Sequence, residues 1–266
     1  MREWVLGSYP VAVFRRFFEL QLLDRSFGLA AQAFVALLPL VIVIVAVVAD
    51  SDGTIVANQI NSRFGLEGAA QDAVRALFTS GSATFALSWT ALLLTVYSAF
   101  SLSRRLSRTY GQIFELPSLL PSQLWRGVAW VVLEVVLLSL SSGLRTVVRE
   151  HGWAFSLLAI IGLLLIWFVF DALGVKLLVP SIKYELLVPT AVLGGVSRLF
   201  LVFWSSAYMP PTLQQQAEQF GPIGVTFSLF SLILVGVVAM LIAPLLVAVW
   251  DQRRNSVAAE STPQSY

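Results

Sequence analysis

The chain has no cysteine and a single histidine, His151, among its 266 residues. Without thiols, neither a disulfide nor a thiolate metal site can form. With one imidazole, the His-rich zinc sets of proteases and nucleases are excluded, and a Ser-His-Asp triad would have to recruit His151 with Glu150 as its nearest carboxylate. No glycine-rich phosphate loop carrying a lysine occurs, which argues against ATP hydrolysis by this chain. Charge is scarce too, at 12% of residues against about 25% in ordinary soluble domains. A formal net charge of +2 leaves no electrostatic footprint for nucleic acid. These absences predict a chain that is not an enzyme, with no catalytic residue, cofactor or metal ligand and no nucleic-acid partner.

What is abundant is apolar surface: 58% of the residues are hydrophobic. No soluble fold hides that much, so lipid is the expected solvent. The clearest stretch is Gly152 to Phe170, nineteen positions without a charge. At about 1.5 Å per residue it matches the roughly 30 Å hydrocarbon thickness of a bilayer. Beyond a short segment from Lys176 to Glu185, a second run reaches Tyr208 with Arg198 as its one charge. Continued along the chain, the pattern predicts an all-α polytopic membrane protein of one domain, residues 1–254. Its six transmembrane helices fall near 28–49, 83–102, 127–144, 152–175, 186–208 and 223–250, followed by a disordered tail over 255–266. A loop is expected from Met209 to Pro222. No cleaved signal peptide is expected, because charges are scattered through the first 25 residues.

Two segments lie outside the spans. Pro10 to Arg25 places Phe14, Phe17, Phe18 and Leu22 among Arg15, Arg16, Glu19 and Arg25. This pattern suits an amphipathic helix in the inner interface, although a leader packed under the bundle would carry it equally well. Within Asp50 to Ser82, Ile60, Phe64, Leu77 and Phe78 recur at helical spacing against Asn61, Arg63 and Asp72. One or two outer surface helices are expected there.

With both termini cytoplasmic, six spans put twelve Lys and Arg residues inside, among them Arg15, Arg16, Arg104, Arg105, Lys176 and Lys183. Four fall outside: Arg63, Arg75, Arg145 and Arg149. The excess fixes the orientation. Membrane lipids are the expected partners, with anionic headgroups at Arg15, Arg16, Arg104 and Arg105; the oligomeric state is open.

The order of several stretches resembles the YihY/BrkB family of bacterial envelope proteins, once mislabelled as ribonuclease BN. They are Leu29-Ala-Ala-Gln-Ala-Phe-Val-Ala-Leu-Leu-Pro39, Arg104-Arg-Leu-Ser-Arg-Thr-Tyr110 through Glu115-Leu-Pro117, Lys176-Leu-Leu-Val-Pro180 through Leu187 to Gly195, and Phe220-Gly-Pro-Ile-Gly224. The resemblance covers about residues 10 to 254. The chain departs from the family near Phe34-Val35 and at Ile242-Ala-Pro244, where the family carries an acidic residue. The resemblance implies a multi-pass protein of the bacterial cytoplasmic (inner) membrane, linked to envelope integrity and to transport. It implies no ribonuclease chemistry.

Charges inside a span cost about 2.5–3.5 kcal/mol each at the helix centre, so Glu134, Asp171 and Arg198 are the intramembrane polar candidates. Counted from the inner boundary, Glu134 lies about 12 Å deep and Arg198 about 17 Å, which predicts a pair between the third and fifth spans. Such a pair could clasp the helices or line a substrate path, or the two residues could face separate partners. Asp171, five residues from Lys176, is expected to bond Lys176 or a headgroup. Pro39, Pro180 and Pro189 are candidate helix kinks. Small residues at Ala30, Ala31, Ala33, Gly194, Gly195, Gly236 and Ala239 permit close helix approach. Two functions remain: a transporter or lipid-handling protein with a cavity around Glu134 and Arg198, or a non-transporting envelope scaffold with an exposed patch on Ile60, Phe64 and Phe78.

Overall fold

A computed structural model describes residues 9–47, 54–78, 85–117, 123, 125–150 and 153–261. Among them there are helices and no strand: α1 Tyr9–Glu19, α2 Leu22–Val47, α3 Thr54–Phe64, α4 Gly68–Phe78, α5 Phe85–Phe114, α6 Trp125–Glu150, α7 Trp153–Leu178 and α8 Tyr184–Ser261. Two of these helices are long and apolar enough to cross a bilayer, over Ile161–Leu178 and Tyr184–Ser256. Large apolar side chains stay exposed in stripes, Ile161, Leu165, Val169 and Leu173 along α7 and Val188, Val192 and Val196 along α8. Their four-residue spacing puts each set on one helix face.

The six apolar runs fall on five helices. The last two both belong to α8, because residues 209–220, expected as a loop, are helical. Met209, Leu213 and Ala217 are buried at four-residue steps, and burying that face outweighs the helix-breaking tendency of Pro210 and Pro211. The break comes instead at Gly221 (φ 59°, ψ −141°), a left-handed conformation natural to glycine. A Cβ on Gly224 would overlap the Gln216 carbonyl group, whose carbon would lie at 2.8 Å, so the chain doubles closely on itself here. At its far end α8 runs to Ser261, where a disordered tail is expected from 255. Asn255 Nδ2 donates to Asp251 at 3.2 Å and Arg254 reaches Glu185 at 2.8 Å, tying this last stretch down.

The chain forms two compact units. Unit 1 takes Met1–Arg25, Ser103–Arg198 and Val238–Tyr266. Here α6 and α7 pack along each other, around a core that includes Leu106, Ile113, Leu137, Trp167, Leu178, Leu241 and Leu245. The α7–α8 turn is satisfied from several sides. Ser107 Oγ donates to the Leu178 carbonyl at 2.7 Å, and Lys176 Nζ to that of Ile182 at 3.1 Å. Pro180 lies in this turn, outside any helix, while the helical backbone runs through Pro39 and Pro189 without a break. Tyr9 pins α1 by donating to the Leu246 carbonyl at 2.7 Å.

Unit 2 takes Ser26–Leu102 and Leu199–Val237. The surface helices expected within 50–82 are α3 and α4. Gly65 (φ 60°) closes α3, with the Leu66 N–H donating to the Asn61 carbonyl at 3.0 Å as in a Schellman cap. Ala57, Phe64, Ala70 and Val74 bury against Met209, Leu213, Ala217 and Val225, with Ile60 packed beside them. Phe34 and Phe230 meet edge to face at 5.9 Å.

Candidate functional site

Three helices of unit 1 bring three charges to one point. Arg198, on α8, donates from Nη2 to both carboxylate oxygens of Glu134 on α6, at 2.7 and 2.9 Å. Its Nε donates to Asp171 Oδ1 on α7 at 2.8 Å. The side chains are 23%, 21% and 11% exposed for Arg198, Glu134 and Asp171, so the set is largely withdrawn from solvent. With both carboxylates ionised the trio carries a formal charge of −1. Charge-assisted contacts this short are the strong kind, and a guanidinium is suited to hold two carboxylates at once.

The pair anticipated from depth, Glu134 with Arg198, is thus found as a contact, and Asp171 joins it. Asp171 does not bond Lys176, whose ammonium is occupied by the Ile182 carbonyl. The reason lies opposite, at Gly194. A Cβ there would stand 3.1 Å from Asp171 Oδ2, so the absent side chain leaves room for the carboxylate. Gly194 and Arg198 are four residues apart on one face of α8, a hole beside a cation, and that spacing was the available signal. Oδ2 of Asp171 is buried and has no hydrogen-bond partner among the described residues. Such an atom raises the free energy of the anion unless a proton, cation or water meets it.

The surroundings are apolar and tight. The Trp130 ring on α6 would lie 3.3 Å from a Cβ on Gly174 of α7, so glycine sets that helix approach. Tyr110 on α5 is buried and donates from its hydroxyl to the Met240 carbonyl at 3.2 Å.

The predicted headgroup ligands divide into two kinds. Arg15 and Arg16 lie on α1, facing Glu19 at 3.4 and 3.7 Å, and Arg16 also binds Glu115 at 2.6 Å. Arg104 and Arg105 are exposed on α5. A cavity of about 300 Å³ involves Arg15, Arg16 and Arg253, and a larger one of about 580 Å³ involves Arg25 and Arg108. His151 lies outside the described residues. Among the described residues no set of three His, Asp or Glu side chains is placed to hold a metal ion. Compared with family models, with curated proteins and with solved structures, the chain matches none.

Proposed function

We propose that the chain is a six-span protein of the bacterial cytoplasmic membrane, of the YihY/BrkB type, that moves a lipid or small envelope solute between leaflets or across the bilayer. Both termini face the cytoplasm, and the Glu134–Arg198–Asp171 set forms the polar step in an otherwise apolar path. The observation that carries this reading is the set itself. A clasp between helices needs one cation and one anion, whereas here a second carboxylate is added and one of its oxygens is left without a partner. Ionisable groups within apolar helices are expensive and mark substrate or ion pathways. The exposed apolar stripes on α7 and α8 support lipid as the surrounding solvent.

The scaffold alternative has less support. Its patch needs Ile60, Phe64 and Phe78 facing outward, but Phe64 is buried and Ile60 packs against the same cluster, while the side chain of Phe78 lies outside the described residues. The deciding experiment reconstitutes the purified full chain into vesicles carrying fluorescent phospholipid and follows access of a membrane-impermeant quencher. Translocation faster than in empty vesicles, and slowed in Glu134→Gln and Asp171→Asn proteins that remain folded, is the expected result. Translocation no faster than in empty vesicles, together with an unchanged lipid distribution in cells lacking the protein, ends the transport reading. A reporter fused after Tyr266 should appear on the cytoplasmic side.

A further inference from the structure

The larger cavity, about 580 Å³, is bounded by Glu19 and Leu20 at the end of α1, Arg25 in the first turn of α2, and Arg108, Gly111, Gln112 and Glu115 at the end of α5. Its wall is built with unusual backbone. The non-glycine residues with positive φ among those described are Gln21 (φ 50°), in the α1–α2 turn next to Leu20, and Glu115 (φ 56°), just past the end of α5. Both close a helix: the Leu116 N–H donates to the Gly111 carbonyl at 2.7 Å, the cap seen at Gly65, and the Gln21 N–H donates to the Phe18 carbonyl at 3.0 Å, so two helix ends meet at this cavity. Arg25 is fixed on both sides, donating from Nε to the Leu20 carbonyl at 2.7 Å and from Nη1 to Gln112 Oε1. Arg108 is exposed and has no ion-pair partner among the described residues.

The cavity therefore offers charge of both signs in separate places. Arg25 and Arg108 supply guanidinium donors suited to a phosphate. Glu19 and Glu115 supply carboxylates; Arg16 already faces both, at 3.7 and 2.6 Å, but their side chains are 50% and 64% exposed and keep open faces for a second cation. The last carbonyls of α5 add the partial negative charge of a helix C-terminus. On the same stretch of chain Phe14, Phe18 and Leu23 expose large apolar side chains, where acyl chains would rest.

We infer that this cavity binds a phosphoethanolamine group, its phosphate on Arg25 and Arg108 and its primary ammonium on Glu19 and Glu115. The inference rests on the membrane placement proposed above. It does not require that the lipid bound here be the one that is moved. A primary ammonium has three N–H donors for the two carboxylates, and a quaternary one has none. Phosphatidylethanolamine should accordingly be retained over phosphatidylcholine, which lacks those donors, and over phosphatidylglycerol, which lacks the cation.

The test uses the full chain in nanodiscs of phosphatidylcholine doped with phosphatidylethanolamine or phosphatidylglycerol, with retained lipid counted by native mass spectrometry. Arg108→Ala should weaken retention of phosphatidylethanolamine about tenfold or more, the usual effect of losing a hydrogen bond to a charged group. Glu19→Gln should abolish the preference for ethanolamine while leaving phosphate-dependent retention. Both positions are exposed, so both variants should melt with the parent. Soluble phosphoethanolamine and inorganic phosphate serve as competitors. Displacement by phosphoethanolamine at matched concentration identifies a soluble ligand, and retention against it identifies the bilayer lipid; either supports the site. Equal retention of all three lipids, or retention indifferent to Arg108→Ala, overturns it. Translocation measured on the same variants separates the two proposals. Lost retention with intact translocation supports the site apart from the transport path, and intact retention in Arg108→Ala removes the site whatever translocation does.

Discussion

Exchanging Glu134 and Arg198 (E134R/R198E) keeps one cation facing one anion, and for an isolated pair it should keep the fold. The third member changes the expectation. Arg198 Nε lies 2.8 Å from Asp171 Oδ1, so the exchange sets a carboxylate against a carboxylate at that point. At an effective dielectric of about 20, two unit charges so close repel by about 6 kcal/mol. Two carboxylates at this distance do not both stay ionised, and the shorter glutamate opens the separation, so the cost falls to about 1–3 kcal/mol, the range found for coupled neighbours. Adding Asp171→Asn removes the second charge and supplies an amide N–H, which should recover most of the loss. The assay is thermal unfolding of the full chain in detergent, for the parent, E134R/R198E, D171N and the triple variant, with abundance in membranes as a second readout. D171N alone should be mildly destabilising, because Arg198 keeps Glu134. If the exchanged protein melts with the parent and D171N brings no recovery in its background, Asp171 does not face position 198 and the three-membered set is wrong.

Other substitutions probe the frame around it. Gly224→Ala forces a methyl into the Gln216 carbonyl group and should lower stability by about 1–3 kcal/mol, as overpacking does. Gly236→Ala has nothing within 4 Å and should be neutral or stabilise by up to about 1 kcal/mol; melting temperatures in detergent compare the two. At position 115 a glycine relieves the left-handed backbone and an alanine does not, while both lose the contacts to Arg16 and Gln252. Glu115→Gly should therefore be more stable than Glu115→Ala by about 1 kcal/mol, read by denaturant unfolding. Tyr9→Phe removes the bond to the Leu246 carbonyl, worth about 1 kcal/mol, and should speed proteolytic clipping around α1.

Much of the helical pattern was legible in the sequence because it rests on uncharged runs and turn residues. Val11 to Phe18 repeats on one face, and Ile60 and Phe64 recur at helical spacing on α3. Boundaries were legible only where a residue enforced them. The stretch expected as a loop from Met209, with Pro210-Pro211 in it, lies inside α8, since the face of Met209, Leu213 and Ala217 has a core to fill. Ser206 and Thr212 bracket the prolines with hydroxyl bonds to the carbonyls of Val202 and Tyr208, at 2.7 and 2.8 Å. The Glu134 to Arg198 contact was legible as matching depth. The sequence points Asp171 to Lys176 or a headgroup, because a neighbour in sequence looks closer than a neighbour across helices. What decides its partner is Gly194, whose place opposite Asp171 is visible only when α7 and α8 are laid together.

Unit 1 is assembled from three stretches that lie far apart in the chain, and the last begins at Val238. During synthesis the earlier two must wait for it. Until that final stretch leaves the ribosome, Tyr9 and Tyr110 lack the carbonyls of Leu246 and Met240, and Glu115 lacks Gln252. A nascent chain halted before Val238 therefore presents unsatisfied polar groups and an open apolar seam at once, the features that make unfinished chains prone to aggregate.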